Sequence, residues 1–207
     1  MRIQFQHCVL DTHELVYTPH EDTFFLEDCL RRFLADKTIH TICDVGTGSG
    51  YIAITLGLCY PQASVLALDI NPHAVELAKQ NLRLNGVTGE VRKSDLFTNV
   101  SAEEMFDLVV FNPPYLPSST LPDAQSDMRE LAWAGGVEGA EITSRFLSLV
   151  IDHLTIGGQC FLLLAGFGKT SLILGNTSLV VTQVAKKKLG FETLEAVVLE
   201  RPRKEDL

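Results

Sequence analysis

A run of apolar residues that ends at an asparagine and two prolines places the strongest constraint on how this chain folds. Residues Leu108–Phe111 are apolar and favour β-structure, which predicts a strand buried on both faces, as in a parallel sheet covered by helices. Asn112, Pro113, Pro114 and Tyr115 follow directly. Because proline has a fixed φ and no N–H donor, the chain leaves the sheet stiff and extended. The Asn112 amide is therefore predicted to lie at the carboxyl end of the strand, where open α/β sheets bind ligands.

These four residues allow two interpretations. Asn-Pro and Pro-Pro are common turn dipeptides, and a turn needs no further function. Alternatively, the Asn112 side-chain oxygen and the carbonyls beside it form a rigid cluster of hydrogen-bond acceptors, and the flat ring of Tyr115 adds a stacking surface. Such a cluster suits a planar –NH2 group. The sequence upstream of this strand favours the second interpretation.

A glycine-rich turn follows the first predicted strand of the sheet, Thr41–Val45. Gly46, Gly48 and Gly50 lie between this strand and a helix predicted over Tyr51–Cys59. Glycines at alternate positions let the backbone approach a ligand closely where a strand turns into a helix. The turn therefore predicts a ligand site at the carboxyl end of this strand as well.

The chemistry of that ligand depends on Asp44. A nicotinamide-binding fingerprint can be assembled from Gly48, Gly50 and Ala53. However, a carboxylate two residues before the first glycine would repel a diphosphate, and more strongly in a partly desolvated site. The same carboxylate suits a cation. S-adenosylmethionine carries an ammonium and a sulfonium and has no phosphate, so it fits better than a dinucleotide.

Two further acidic residues end predicted strands. Asp69 closes a strand over Val65–Ile70, roughly 20 residues beyond the glycines, where an acidic residue commonly takes the two ribose hydroxyls. The alternative for Asp69 is a favourable charge at the start of the next helix. Asp95 closes a more polar strand over Gly89–Asp95, predicted to lie at the edge of the sheet. Asp95 and Leu96 are placed to meet an adenine amino group and ring face.

The remaining segments complete an alternation of helices and strands typical of an α/β fold. Thr18, Pro19 and Glu21 form a capping box that predicts a helix running to Leu34. Residues Leu116–Ala140 are predicted to be a long connection beside the site. The other predicted elements are a helix from Asn71-Pro72 to Leu82, a helix through Phe146, Val150 and Leu154, a strand over Cys160–Ala165, a helix around Leu179–Leu189 and a last strand over Phe191–Leu199.

Length and composition set the class of protein. The 207 residues suit a single α/β domain over 1–207, with an amino-terminal arm at 1–16 and the core sheet at 41–207. A net charge of −9 disfavours direct nucleic-acid binding, because an acidic surface repels the phosphate backbone on average. The five cysteines form no Cys-x-x-Cys motif, and the chain shows no signal peptide and no apolar stretch long enough to span a membrane. These features predict buried, reduced cysteines in a cytoplasmic protein without a metal site.

In this order, the motifs resemble those of the class I S-adenosylmethionine-dependent methyltransferases: strand–Asp-x-Gly-x-Gly-x-Gly–helix, strand–Asp, strand–Asp, strand–Asn-Pro-Pro-Tyr. More narrowly, the chain is similar to the HemK-type family, which methylates the glutamine of the Gly-Gly-Gln motif in class I translation release factors. Tyr-x-Pro-x-Glu-Asp-Thr-Phe at Tyr17–Phe24 and Trp-Ala-Gly-Gly-x-x-Gly at Trp133–Gly139 resemble the eukaryotic and archaeal branch. That branch lacks the amino-terminal helical domain of the bacterial enzymes.

The resemblance implies a Rossmann-like class I methyltransferase fold, with a mostly parallel central sheet of six or seven strands and helices on both faces. It implies S-adenosylmethionine as cofactor and S-adenosylhomocysteine as product. It also implies that a small, zinc-binding activator subunit adds a strand at the Gly89–Asp95 edge. The catalytic residues implied are Asn112, Pro113, Pro114 and Tyr115, and the cofactor-binding residues are Thr23, Asp44, Gly46, Gly48, Gly50, Asp69, Asp95, Leu96 and Asn112.

Two other functions and three departures from the family stay open at this point. An adenine or cytosine exocyclic-amine methyltransferase acting on DNA or RNA would bind its –NH2 group with the same cluster of acceptors. A scaffold that binds the cofactor without methyl transfer would bind no –NH2 group there. His20 replaces an expected small residue, and Thr170–Thr177 resembles an insertion. The chain also stops at Leu207, about where the family's final antiparallel strand is expected to begin, which predicts a sheet one strand short or a clipped terminus.

Overall fold

The computed structural model describes residues 1–114, 141–165, 174–175, 177–190 and 192–203. Tyr115, the Trp133–Gly139 motif and most of Thr170–Thr177 lie outside the described residues. The strands are β1 (Arg2–Gln4), β2 (Val9–Asp11), β3 (Thr41–Val45), β4 (Ser64–Asp69), β5 (Glu90–Lys93), β6 (Phe106–Phe111), β7 (Leu154–Ala165), β8 (Val180–Leu189) and β9 (Glu192–Glu200). The helices are α1 (Glu21–Phe33), α2 (Tyr51–Cys59), α3 (Pro72–Leu84) and α4 (Glu141–Val150), and a 3-10 turn covers Ile151–His153.

Seven of these strands form one mostly parallel sheet in the order β5-β4-β3-β6-β7-β9-β8. β3 pairs in parallel with both β4 and β6, and β9 runs antiparallel to β7 and β8. This is the class I methyltransferase topology that the resemblance implied, with strand order reversing next to β3. A reversal of this kind opens a crevice at the carboxyl ends of the central strands.

Helices cover both faces of the sheet, because side chains along the central strands alternate between them. Ile42 of β3 and Leu108 of β6 pack in the core formed with α1, α2 and α3. Their neighbours Cys43 and Val109 pack in a second core that includes Phe146 of α4. This two-sided burial explains why β6 is apolar at consecutive positions rather than at alternate ones.

The amino-terminal segment forms a small antiparallel pair of strands that docks on α3. Asn81 accepts a hydrogen bond from Asp11 N at 2.8 Å and donates to Asp11 O at 3.0 Å. Asn85 makes the equivalent pair with Val9 N at 2.9 Å and Val9 O at 2.7 Å. The two amides thus substitute for a neighbouring strand along β2. The division of the chain into a single domain with an arm at 1–16 stays a prediction.

The predicted capping box at the start of α1 is wrong. The helix begins at Glu21, and its N-cap is His20, which makes no side-chain capping bond. Thr18 and Pro19 lie two and one residues outside the cap. Pro19 is instead buried and lines the cavity described below. The segment before α1 is therefore held by the site rather than by the helix.

The helix predicted around Leu179–Leu189 is also wrong, because this segment is strand β8. Its Val-Val-Thr start is β-branched, which favours strand over helix. Ala185 and Leu189 turn inward against the α1 core, while Lys186 points outward and pairs with Glu195 of β9 at 2.8 Å. The lysines at 186–188 resemble the end of a helix, but the side chains here alternate between exposed and partly buried positions, as in an edge strand.

The prediction of a missing final strand is also wrong, because the segment predicted as a helix is strand β8 and completes the sheet. β8 occupies the sheet edge, and β9 is the antiparallel strand, inserted between β7 and β8. Several other bounds also differ, most of them by one or two residues; the larger differences are that α4 ends at Val150 rather than Leu154 and that β7 begins at Leu154 rather than Cys160. Four cysteines are buried as expected, whereas Cys59 at the end of α2 is exposed. Within the described residues, no helix is long and apolar enough to cross a membrane.

Candidate active site

A cavity of about 380 Å³ opens at the carboxyl ends of β3, β4 and β6. It brings together most of the side chains that the sequence pointed to. Its lining includes Thr23, Asp44, Gly46, Gly48, Asp69, Asp95, Leu96, Asn112, Pro113 and Pro114. Gly50 is not among the described lining residues, and Tyr115 lies outside the described part of the chain.

The glycine turn after β3 adopts a conformation that side chains disfavour. Gly46, Gly48 and Gly50 all have positive φ, at 63°, 56° and 85°. A Cβ at Gly46 would lie 3.1 Å from the ring of Phe111, so the backbone there passes close to the end of β6. Gly50 is the N-cap of α2, and a Cβ there would meet Ala78 of α3 at 3.3 Å. The first two glycines thus shape the cavity wall, and Gly50 serves helix packing.

Asp44 places a buried carboxylate beneath this turn. The residue is 3% exposed, and its Oδ2 accepts hydrogen bonds from Thr47 Oγ1 at 2.6 Å and from Ala53 N at 3.1 Å. Burial raises the pKa of Asp44 to about 7, against the opposing effect of these hydrogen bonds, and nearby Asp69 raises it further. The raised pKa means that the two hydrogen bonds offset only part of the cost of burying the Asp44 charge.

Asp69 is fixed by backbone donors at the end of β4. Its Oδ2 accepts from Gly48 N at 2.8 Å, and its Oδ1 accepts from Asn71 N at 2.9 Å. Burial raises the pKa of Asp69 to about 6, partly offset by the backbone hydrogen bonds. Each oxygen keeps a lone pair for a further donor, so the carboxylate can accept two adjacent hydroxyls.

Asp95 and Leu96 line the cavity just after β5. Asp95 Oδ2 is paired with Arg145 of α4 at 2.9 Å, and both side chains are nearly half exposed. Leu96 is 6% exposed and has a φ of 50°, a left-handed conformation that costs a non-glycine residue roughly 1–2 kcal/mol. Strained backbone of this kind clusters at ligand sites, and Leu96 lines the cavity.

Asn112 presents an unsatisfied acceptor at the end of β6. Its Nδ2 donates to Asp22 Oδ2 at 3.2 Å. Its Oδ1 is buried and has no hydrogen-bond partner among the residues that the structure describes. A buried oxygen without a partner costs about 1–3 kcal/mol, so such atoms call for an explanation. A ligand –NH2 group in the cavity would satisfy it.

Several lining residues were not predicted as site residues, among them Tyr17, Asp22 and Arg145. Tyr17 and Asp22 lie in the Tyr17–Phe24 motif, and Tyr17 Oη donates to Asp22 Oδ1 at 2.8 Å. That motif was the available signal, because it places polar residues beside a proline before a helix. Arg145 follows the long connection after Tyr115, and nothing local in the sequence ties it to Asp95.

Comparison with known proteins identifies the family of the chain. A model of the family described as methyltransferase small domain matches residues 26–128. A putative protein N5-glutamine methyltransferase of Methanocaldococcus jannaschii is 35% identical over 202 residues, which span 95% of this chain and 98% of that protein. Methyltransferase HEMK2 of Homo sapiens is 35% identical over 189 residues, 88% of each chain. A release factor glutamine methyltransferase of Rhodopirellula baltica is 32% identical over 173 residues, 78% of this chain and 58% of that protein.

A solved structure supports the fold. The crystal structure of a methyltransferase from Pyrococcus furiosus superimposes with a TM-score of 0.72 at 20% identity, covering 95% of this chain and 90% of the other. At that identity the likeness concerns the fold alone.

Proposed function

The chain belongs to the family of protein glutamine methyltransferases that includes HEMK2, and from this premise we propose that it methylates a glutamine side-chain amide in a translation release factor. The enzyme is a methyltransferase and uses S-adenosylmethionine. The reactive atom of the substrate is the amide nitrogen, in the Gly-Gly-Gln motif that release factors carry. A translation factor as substrate assigns the reaction to the cytoplasm.

The residues of the cavity fit S-adenosylmethionine. Asp44 and Asp69 are carboxylates with raised pKa values, which a ligand carrying an ammonium and a sulfonium would stabilise in their ionised forms. Asp69 would accept the two ribose hydroxyls, and Asp95 with the strained Leu96 would bind adenine. The positive-φ backbone at Gly46 leaves room for the methionine end. When bound, this cofactor supplies a methyl group on a positively charged sulfur and is released as S-adenosylhomocysteine.

The single observation that carries the proposed reaction is the buried, unpartnered Oδ1 of Asn112. An amide nitrogen is a weak nucleophile, because its lone pair is delocalised into the carbonyl. Asn112 Oδ1 and the Pro113 backbone carbonyl would accept its two N–H hydrogens and hold the nitrogen in line with the methyl group. Both oxygens also stabilise the positive charge that develops on nitrogen during transfer. The proton leaves after the methyl group has been transferred, so no strong general base is required.

The prolines give this grip its rigidity. Pro113 is buried, Pro114 is partly buried, and neither has an N–H that could compete for the acceptors. The fixed φ of each ring limits how far the Asn112 backbone can relax after the strand ends. Tyr115 keeps its predicted role of packing on the planar substrate amide.

The proposal is tested by incubating the enzyme with S-adenosylmethionine and a release factor, single-stranded DNA or RNA in parallel. We expect one added methyl group on the glutamine side chain, located by mass spectrometry, and none on nucleic acid. Asn112→Ala should lower kcat/KM by about two to three powers of ten while retaining most of the cofactor affinity. Asn99→Ala, at an exposed asparagine outside the cavity lining, is the matched control. Methylation of DNA or RNA bases without methylation of the release factor would overturn the proposal.

We further propose that an activator subunit binds the β5 edge of the sheet. β5 lies at the end of the strand order, so one side of its backbone is not paired within the sheet. Leu58 of α2 and Leu84 of α3 are exposed large apolar residues; α3 packs against β5, and Gly57 of α2 packs directly on Val87, three residues before β5. A partner strand added to β5 would pair the backbone and cover apolar surface. Arg92 forms ion pairs with Glu90 and Glu104. These charges would protect the β5 edge when no activator subunit is bound.

Co-purification with a small zinc-binding activator tests this surface. Leu84→Glu should abolish co-purification and reduce yield, because it places a charge in the proposed interface. Leu149→Glu, on α4 at the other face of the sheet, has similar exposure and should leave binding unchanged. Loss of binding in both variants, or in neither, would remove the β5 edge as the interface.

A further inference from the structure

Asp22 is a carboxylate at the cavity that accepts several hydrogen bonds and has no role in the proposed mechanism. It is the second residue of α1 and is 6% exposed. Its Oδ1 accepts from Tyr17 Oη at 2.8 Å, Thr23 N at 2.6 Å and Thr23 Oγ1 at 3.2 Å. Its Oδ2 accepts from Asn112 Nδ2 at 3.2 Å. The carboxylate therefore joins the start of α1 to the end of β6.

The contact decides which way the Asn112 amide points. An amide has a donor end and an acceptor end, and either end can occupy the same position with little change in shape. A carboxylate accepts hydrogen bonds and does not donate them. The end of Asn112 that faces Asp22 must therefore be the –NH2 group. As a result, the Oδ1 end is turned away from Asp22, where it is buried without a partner among the described residues.

We propose that Asp22 is a positioning residue that locks Asn112 with its oxygen towards the substrate and so selects nucleophiles that carry N–H donors. This inference rests on the proposed function, because it concerns the same substrate nitrogen. Asp22 does not touch the reacting atoms. Its effect is exerted through the orientation of one amide, and a reversed amide would present –NH2 to the substrate –NH2, two donors without an acceptor.

The lock predicts an unusual order of activities for two variants. In Asp22→Asn, the three donors of Tyr17 and Thr23 hold the new side-chain oxygen, so its –NH2 group faces Asn112. Asn112 then turns its oxygen towards position 22 and its –NH2 group towards the substrate. In Asp22→Ala nothing imposes that reversal, and part of the population keeps the productive orientation. The isosteric variant should therefore be the slower of the two.

The experiment compares kcat on the release factor, cofactor affinity by calorimetry and thermal stability for both variants. We expect Asp22→Asn to lower kcat about 100-fold, the scale of losing one positioned acceptor, with cofactor affinity within about threefold of wild type. Asp22→Ala should be about tenfold faster than Asp22→Asn, although it loses more hydrogen bonds. A purely structural role predicts the opposite order. Near wild-type kcat in Asp22→Asn, or a slower Asp22→Ala, would overturn the inference.

Two further measurements keep the test decisive. If Asp22→Ala does not fold, the double variant Asp22→Asn with Asn112→Asp replaces it, because an acceptor-only side chain at 112 cannot present a donor. It should be faster than Asp22→Asn alone, and equal or lower kcat counts against the lock. Independently of activity, NMR hydrogen exchange of the Asn112 side-chain –NH2, assigned by its loss in Asn112→Asp, should be faster in Asp22→Asn than in wild type. Failure of the proposed function appears instead as a wild-type enzyme that does not methylate the release factor.

Discussion

Asp69 accepts a hydrogen bond from the backbone N–H of Gly48 at 2.8 Å, which joins the carboxyl end of β4 to the glycine turn after β3. The contact orients the carboxylate before any ligand arrives. It also restrains the glycine turn, because the carboxylate holds the Gly48 N–H in place. A ligand that binds Asp69 therefore loses less free energy to the ordering of side chains and loop, because folding has already ordered them.

Removal of this carboxylate should weaken cofactor binding. We expect Asp69→Ala to lower the affinity for S-adenosylmethionine by about 1.5–3 kcal/mol, the loss of charge-assisted hydrogen bonds to the ribose. Isothermal titration calorimetry measures it. Asp107→Ala is the matched control, because Asp107 also accepts from two backbone N–H groups, His40 at 2.9 Å and Thr41 at 3.2 Å, but at the amino end of β6. Asp107→Ala should lower the stability of the protein and leave its affinity for S-adenosylmethionine unchanged. If Asp69→Ala also leaves that affinity unchanged, Asp69 does not bind the ribose.

Cofactor affinity should depend on pH through Asp44 and Asp69. Burial raises their pKa values to about 7 and about 6 in the unliganded protein. A cationic ligand favours the ionised carboxylates, so binding lowers both pKa values and releases protons. Affinity should therefore rise as the pH goes from about 5 to about 7.5, with proton release greatest between these limits. Calorimetry in buffers of different ionisation enthalpy measures the released protons, and proton uptake would show that the sign is wrong.

The stability of the unliganded protein should show the opposite trend. The pKa of Asp44 is raised on folding, so its contribution to stability is fully present below the unfolded value of about 4 and is lost as the pH rises through about 7. Asp44→Asn cannot ionise and can still accept from Ala53 N. Relative to wild type, it should gain about 1–3 kcal/mol of unfolding free energy between pH 5 and pH 8. Urea denaturation at both values measures the gain, and a constant difference would mean that folded Asp44 is already ionised at pH 5, so that folding does not raise its pKa.

The parts of the fold that depend on local pattern could be predicted from the sequence. β3 and α2 begin and end at the predicted residues, because a buried apolar run and the following glycines define both ends. The acidic residues at strand ends converge because parallel strands point their carboxyl ends to one edge. For that reason ten of the predicted site residues line one cavity, although they come from widely separated segments.

The errors lie where distant partners decide the structure. β8 is a strand because it pairs with β9, and neither its β-branched start nor its lysines reveal that partner. The hydrogen bond between Asp22 and Asn112 spans 90 residues of sequence, so the motif around Tyr17 could be noticed but its contact could not be inferred. The start of α1 was misplaced because proline is common at the first position of a helix, which Pro19 was predicted to occupy. In the structure Pro19 precedes the helix and lines the cavity.

The glycine turn offers a test of whether its backbone serves the cofactor or only the fold. Gly46→Ala meets two obstacles: a φ of 63°, which costs roughly 1 kcal/mol for alanine, and the Phe111 ring 3.1 Å from the new Cβ. Gly86→Ala, at a φ of 68°, meets the first obstacle alone, because nothing lies within 4 Å of its Cβ. Both variants should therefore lose about 1 kcal/mol of stability in urea denaturation, with a further loss in Gly46→Ala.

Cofactor binding should separate the two variants. The added methyl group at position 46 lies at the cavity wall and pushes on Phe111 at the end of β6, next to Asn112. We expect Gly46→Ala to weaken S-adenosylmethionine binding by about tenfold or more, roughly 1.4 kcal/mol, and Gly86→Ala to leave it unchanged. Calorimetry on both proteins decides the matter. Equal affinities would mean that the turn needs glycine at position 46 for folding alone, and that the methionine end of the cofactor lies elsewhere in the cavity.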